Sequence, residues 1–128
     1  MPDASLAVLA LLGLFTVKHF LADFVLQSPY ILKNRRFYGH PGGILHTGIH
    51  VAGSLIVLVL MSTPPFLLLK ILVVEALVHY HVDWAKDNIV LHFNMKPNER
   101  RYWIALGADQ TVHQLTYVGL SLWWVLAI

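Results

Sequence analysis

The sequence predicts an all-α fold: an integral membrane four-helix bundle, antiparallel and up-down, with a polar His/Asp layer in its cytoplasmic half. Three observations lead there. The chain is 57% hydrophobic and only 12% charged, whereas a soluble domain carries roughly 25% charged residues. Four mostly apolar stretches, about 5–27, 43–61, 65–88 and 99–127, each reach the roughly 20 residues that span a bilayer. With their loops they nearly exhaust residues 1–128, so a single transmembrane domain is expected. Finally, each stretch carries ionisable residues spaced i, i+4, which puts them one turn apart on one helix face.

The first stretch follows an acidic start, Met1-Pro2-Asp3, and runs apolar from Leu6 to about Leu26. A cleavable signal peptide wants a basic start and a short apolar core, so this segment reads as a retained helix. Ser28-Pro29 ends it, because proline drives the preceding residue out of helical backbone. Lys18 lies deep in the segment; its stem snorkels or its charge meets an acid from a neighbouring helix. A loop over 29–43 carries Lys33, Arg35 and Arg36 and ends in the turn cluster Gly39-His40-Pro41-Gly42-Gly43. In the second helix, Gly48 and Gly53 are small enough for another helix to approach closely. Ser62-Thr63-Pro64-Pro65 is a tight uncharged connection, and proline suits the first turn of the third helix. A second polar loop is expected over 89–98, with apolar Ile89 to Phe93 at the membrane surface. Asn98 reads as the cap of the fourth helix.

Charge sets the topology. Lys33, Arg35 and Arg36 cluster in one loop, and Lys86, Lys96, Arg100 and Arg101 gather around the other. Basic loops favour the cytoplasm, so both termini are expected outside. This clustering explains the basic residues without nucleic acid, which is not expected as a partner. The expected partners are the lipid bilayer and, as an open alternative, further copies of the chain. Cysteine is absent, which excludes disulfides, thiolate metal sites and a cysteine nucleophile.

The chemistry lies in the paired residues: His19 with Asp23, His46 with His50, His79 with Asp83, and Asp109 with His113. Alternating helix direction places all of them roughly 6–20 Å from the cytoplasmic boundary at about 1.5 Å per residue. An unpaired aspartate at a helix centre costs about 2.5–3.5 kcal/mol to insert. Asp23, Glu75, Asp83 and Asp109 together would cost on the order of 10 kcal/mol. A bound cation would stabilise them. Imidazole with carboxylate suits zinc first, and iron or manganese next. The expected metal ligands are His19, Asp23, His46, His50, His79, Asp83, Asp109 and His113, enough for two ions. The His46/His50 pair resembles the zinc pair of His-Glu-x-x-His, but Thr47 stands where the glutamate would be. The base must then come from Glu75 or Asp109, and Glu75 is equally a ligand or a partner for Lys18. Gln27 and Gln110 are placed to orient ligands. His40, His81 and His92 read as structural.

The elements Lys18-His-Phe-Leu-Ala-Asp-Phe-Val-Leu-Gln27, His46-Thr-Gly-Ile-His50, Val78-His-Tyr-His-Val-Asp-Trp-Ala-Lys86 and Asp109-Gln-Thr-Val-His113 resemble the motifs of a bacterial membrane family, domain of unknown function 3307. The resemblance covers nearly the whole chain. It implies a small multi-pass protein of the bacterial inner membrane and brings no activity with it. From the residues themselves the expected function is a metal-dependent hydrolase acting on an amphiphilic substrate, with a metal-bound water as attacking group. Two alternatives stay open: transport of a divalent metal or protons, and haem binding with redox chemistry.

Overall fold

A computed structural model describes residues 3–128. Those residues are all helix and connection, with no strand among them. Helix α1 spans Ala4–Phe20 and runs on as a π-helical turn, Leu21–Val25. A short helix α2, Pro29–Asn34, follows, then the long helices α3, Pro41–Leu60, α4, Pro65–His92, and α5, Arg100–Ala127.

Each start has a local cause. Asp3 caps α1 by accepting from the Ser5 amide at 3.2 Å. Ser28 caps α2 by accepting from the Ile31 amide at 3.3 Å, and Pro29 fills the first turn, where its missing N–H is no loss. His40 caps α3 through Nδ1, which accepts from Gly42 at 3.0 Å. Ser62 and Asn94, both at positive φ, turn the chain after α3 and α4.

The long helices form a closed ring, α1–α3–α4–α5, in which each backbone packs on its two neighbours, and across the ring only side chains meet, as Lys18 of α1 does Glu75 of α4. α2 lies against α3 at one end. Along the axis the interior divides in two. One half is a hydrophobic core of Leu11, Phe15, Val57, Leu58, Leu67, Ile71, Tyr117, Leu120 and Trp124. The other is polar and holds buried His19, Asp23, His46, His50, His79, Asp83, Asp109 and His113. Meanwhile Leu9, Phe20, Phe24, Leu60, Phe66 and Leu126 are among many large apolar side chains pointing outward.

Several expectations are corrected. Four helices were expected and five α-helices are present among the described residues, because Ser28-Pro29 starts a further short helix; the first helix itself stops at Val25, short of the expected Gln27. The first helix gives up α-geometry after Phe20. α4 runs past Asn88 to His92, so Ile89 to His92 are helical and not loop; nothing before Asn94 interrupts the backbone. The N-cap of α5 is Glu99, whose side chain makes no capping bond, and Asn98 lies one residue outside. Three helical segments are long and apolar enough to cross a membrane: Ala4–Val25, Pro41–Leu60 and Pro65–His92. α5 falls short because Asp109, Gln110, Thr111, His113, Gln114 and Thr116 crowd its middle. Of the two glycines singled out in α3, Gly53 is at a close approach, since a β-carbon there would lie 3.1 Å from Lys18 Cδ, whereas Gly48 has open space.

Candidate metal centre

α1 brings His19 and, from its π-helical turn, Asp23. Such turns are rare and recur at functional sites. α3 supplies His46 and His50, α4 supplies His79 and Asp83, and α5 supplies Asp109 and His113. The structure brings all eight into one buried layer, each at most 7% exposed. The imidazoles are in contact: the rings of His50 and His79 are centred 3.8 Å apart, and those of His79 and His113 4.1 Å apart.

The carboxylates lie among the imidazole nitrogens. Asp23 Oδ1 is 2.8 Å from His50 Nε2 and 3.2 Å from His46 Nε2. Asp83 Oδ2 is 3.0 Å from both His46 Nε2 and His79 Nε2, while its Oδ1 is 2.9 Å from His113 Nε2. Distance alone does not separate a hydrogen bond from two ligands of one ion. At zinc–nitrogen lengths near 2.0–2.1 Å, the edge of a tetrahedron is about 3.3 Å. Alignment does separate them. His46 Nε2, His79 Nε2 and Asp83 Oδ2 lie 3.0 Å apart in two pairs, yet none is aligned to hydrogen-bond and each is buried without a partner. Asp109 Oδ1 is orphaned in the same way. Buried polar atoms are normally satisfied. Unpaired polar atoms packed this closely are arranged as the ligand atoms of a cation are, and buried ones call for such a partner.

Two groups can hold an ion: Asp23, His46, His50 and His79, and His79, Asp83 and His113, with ligand atoms in each group within 4.8 Å of one another. His19 and Asp109 stand beside these groups. Both His19 nitrogens are engaged, Nε2 with Gln110 Oε1 at 2.9 Å and Nδ1 with the Tyr117 hydroxyl at 3.2 Å. Gln110 donates to Asp23 Oδ2 at 3.0 Å and to Asp109 Oδ2 at 3.2 Å, so it orients both carboxylates. Gln27 sits elsewhere, accepting from Arg35 Nη1 at 2.7 Å. His81 bonds to the Leu77 carbonyl and the Tyr38 hydroxyl outside the layer.

Glu75 faces the apolar side of the layer, where its Oε1 pairs with Lys18 Nζ. Lys18 also donates to the His50 carbonyl at 3.1 Å, and the Tyr117 hydroxyl donates to Glu75 Oε1 at 3.3 Å. The buried lysine and glutamate thus neutralise each other, which removes two unpaired charges from a low-dielectric interior.

Sequence reasoning missed two contributors. Tyr117 continues the stripe Asp109, His113, Tyr117 by one further turn, so the signal was present. Arg35 reaches the edge of the layer only because α2 folds back. Burial opposes its charge, but Asp83 and Asp87 outweigh burial and hold its pKa above the ordinary guanidinium value.

Fold and site together define a helical bundle built around a buried layer of histidine and aspartate able to hold metal ions. The chain belongs to the family described as Protein of unknown function (DUF3307), whose profile matches residues 11–127. No curated protein and no solved structure matches it.

Proposed function

We propose that this protein is an integral membrane metalloenzyme, a hydrolase whose two divalent cations sit in the His/Asp layer. The single observation that carries this is the trio His46 Nε2, His79 Nε2 and Asp83 Oδ2, close together, buried and not hydrogen-bonded. Charge supports it. Asp23, Asp83 and Asp109 bring three carboxylates into an interior where, among the described residues, the buried lysine and arginine are already paired, Lys18 with Glu75 and Arg35 with Asp87. Asp83 would contribute to holding both ions, because Oδ2 lies 3.0 Å from His46 and His79 Nε2 while Oδ1 lies 2.9 Å from His113 Nε2. Zinc is the first choice for such donors, with iron and manganese next.

The inverted distribution of side chains supports the membrane reading. Lipid tolerates apolar surface outside and demands that polar groups be satisfied within. On this reading α5 is the fourth span, because its polar residues Asp109, Gln110 and His113 face the interior. The basic ends of the helices then lie in the cytoplasm, and both termini lie outside the inner membrane of a bacterium.

Divalent ions in this layer would polarise an ester or phosphoester and supply an attacking water whose pKa is lowered towards 7. Asp109 is the better base of the two candidates: each keeps one unpartnered oxygen, Asp109 Oδ1 and Glu75 Oε2, but Asp109 lies in the layer beside His113, whereas Glu75 is ion-paired with Lys18 on the layer's apolar side. The test is hydrolysis of an amphiphilic ester or phosphoester by protein reconstituted in lipid. Chelation should abolish turnover, added metal should restore it, and His46→Ala should lower it about 100-fold with the helices intact. Full turnover after rigorous chelation would reject the proposal.

A further inference from the structure

The basic end of the bundle axis holds a cavity of about 190 Å³ that the metal layer itself does not use. α2 lines it with Leu32 and Arg35, α4 with Lys86 and Asp87, and α5 with Tyr102 and Leu106. It lies on the face of α4 and α5 that carries the layer. Asp87 is one turn beyond Asp83, a rise of about 6 Å. An adjoining hollow of about 250 Å³ shares Leu32 and Asp87 and adds Arg36.

Two cations here face one carboxylate. Arg35 holds Asp87 through Nε and through Nη2, the latter at 3.0 Å, and gives Nη1 to Gln27. Lys86 Nζ is 2.6 Å from Asp87 Oδ1. The Arg35 and Lys86 side chains are only 9% and 15% exposed. A guanidinium has five N–H donors and an ammonium three. Asp87 and Gln27 occupy three of the first and Asp87 one of the second. Arg35 and Lys86, with donors to spare and a net positive charge, therefore line a partly enclosed space near the His/Asp layer. Arg35, Lys86 and Tyr102 come from three different helices, which suits a tetrahedral anion better than a planar carboxylate.

We propose that this cavity is the substrate subsite of the centre and takes the phosphate group of an anionic substrate. Its catalytic meaning rests on the metalloenzyme reading; the binding of phosphate does not.

The experiment is calorimetric titration of the full chain in detergent, both metal-loaded and stripped with chelator, so that phosphate held by an ion is recognised as such. The probes are inorganic phosphate and a short-chain phosphatidic acid. Lys86→Gln should weaken binding about tenfold. Asp87→Asn, which removes the competing carboxylate, should strengthen it, an effect that a purely structural role for these residues would not produce. Saturation by inorganic phosphate assigns a soluble phosphoester, and saturation by phosphatidic acid alone assigns a lipid headgroup; both support the subsite. Binding of neither probe, or affinities unmoved by both substitutions, overturns it. Metal content is measured on the same samples. A chain that binds phosphate but no metal would sink the metalloenzyme reading and leave the anion site standing.

Discussion

The two halves of the bundle solve the same packing problem with opposite chemistry. In the apolar half, Leu11, Phe15, Leu58 and Ile71 fill the axis completely, each 0% exposed. The Trp124 indole fastens the far end of this half by donating to Thr63 Oγ1 at 2.8 Å. In the other half the axis is filled by five histidines and three aspartates, and some of their polar atoms lack partners. An apolar axis would have been the simpler choice throughout, since lipid outside and leucine inside pack readily. On the proposed reading the polar half exists for what it binds, and the apolar half for holding it in place.

Substitutions can break that contrast. The largest effect is expected at Asp83, which touches His46, His79 and His113 at once. Asp83→Asn should abolish metal retention in elemental analysis and lower stability by about 3–5 kcal/mol, the usual result of breaking a buried charge network. Next comes the border between the halves. Lys18→Met leaves Glu75 buried and unpaired and should cost about 3 kcal/mol in thermal unfolding. Adding Glu75→Gln should recover most of that loss, as a double-mutant cycle would record. In the apolar half, Leu58→Ala should cost about 2 kcal/mol by opening a cavity, with metal content unchanged. The smallest effect is Trp124→Phe, which deletes one hydrogen bond and should cost about 1 kcal/mol. Metal loss in Leu58→Ala or Trp124→Phe would show that the halves are not separable.

The contrast was legible in the sequence to different depths. The paired residues at i, i+4 spacing are a helix-face signal, and alternating helix direction turned them into a layer without any tertiary information. Prolines at 29, 41 and 64–65 mark helix starts well. What escaped was whatever needed a second element. Six residues are too short for α2 to show an amphipathic period, so Arg35 read as a topology charge and not as a wall of a cavity. Glu75 had three readings until α1 delivered Lys18 beside it. Gln27 shares a helix face with His19 and Asp23 in an ideal helix, but the chain leaves helical geometry after Val25, so the side chain serves Arg35 instead. The end of α4 was misplaced because apolar Ile89–Leu91 reads equally well as surface loop or helix.

The most direct measurement is the metal content of the purified protein, by elemental analysis after supply of zinc, iron or manganese and removal of loosely held ions. The account predicts about two ions per chain, lost in Asp83→Asn and kept in Leu58→Ala. A folded wild-type chain that retains no ion under these conditions would contradict it.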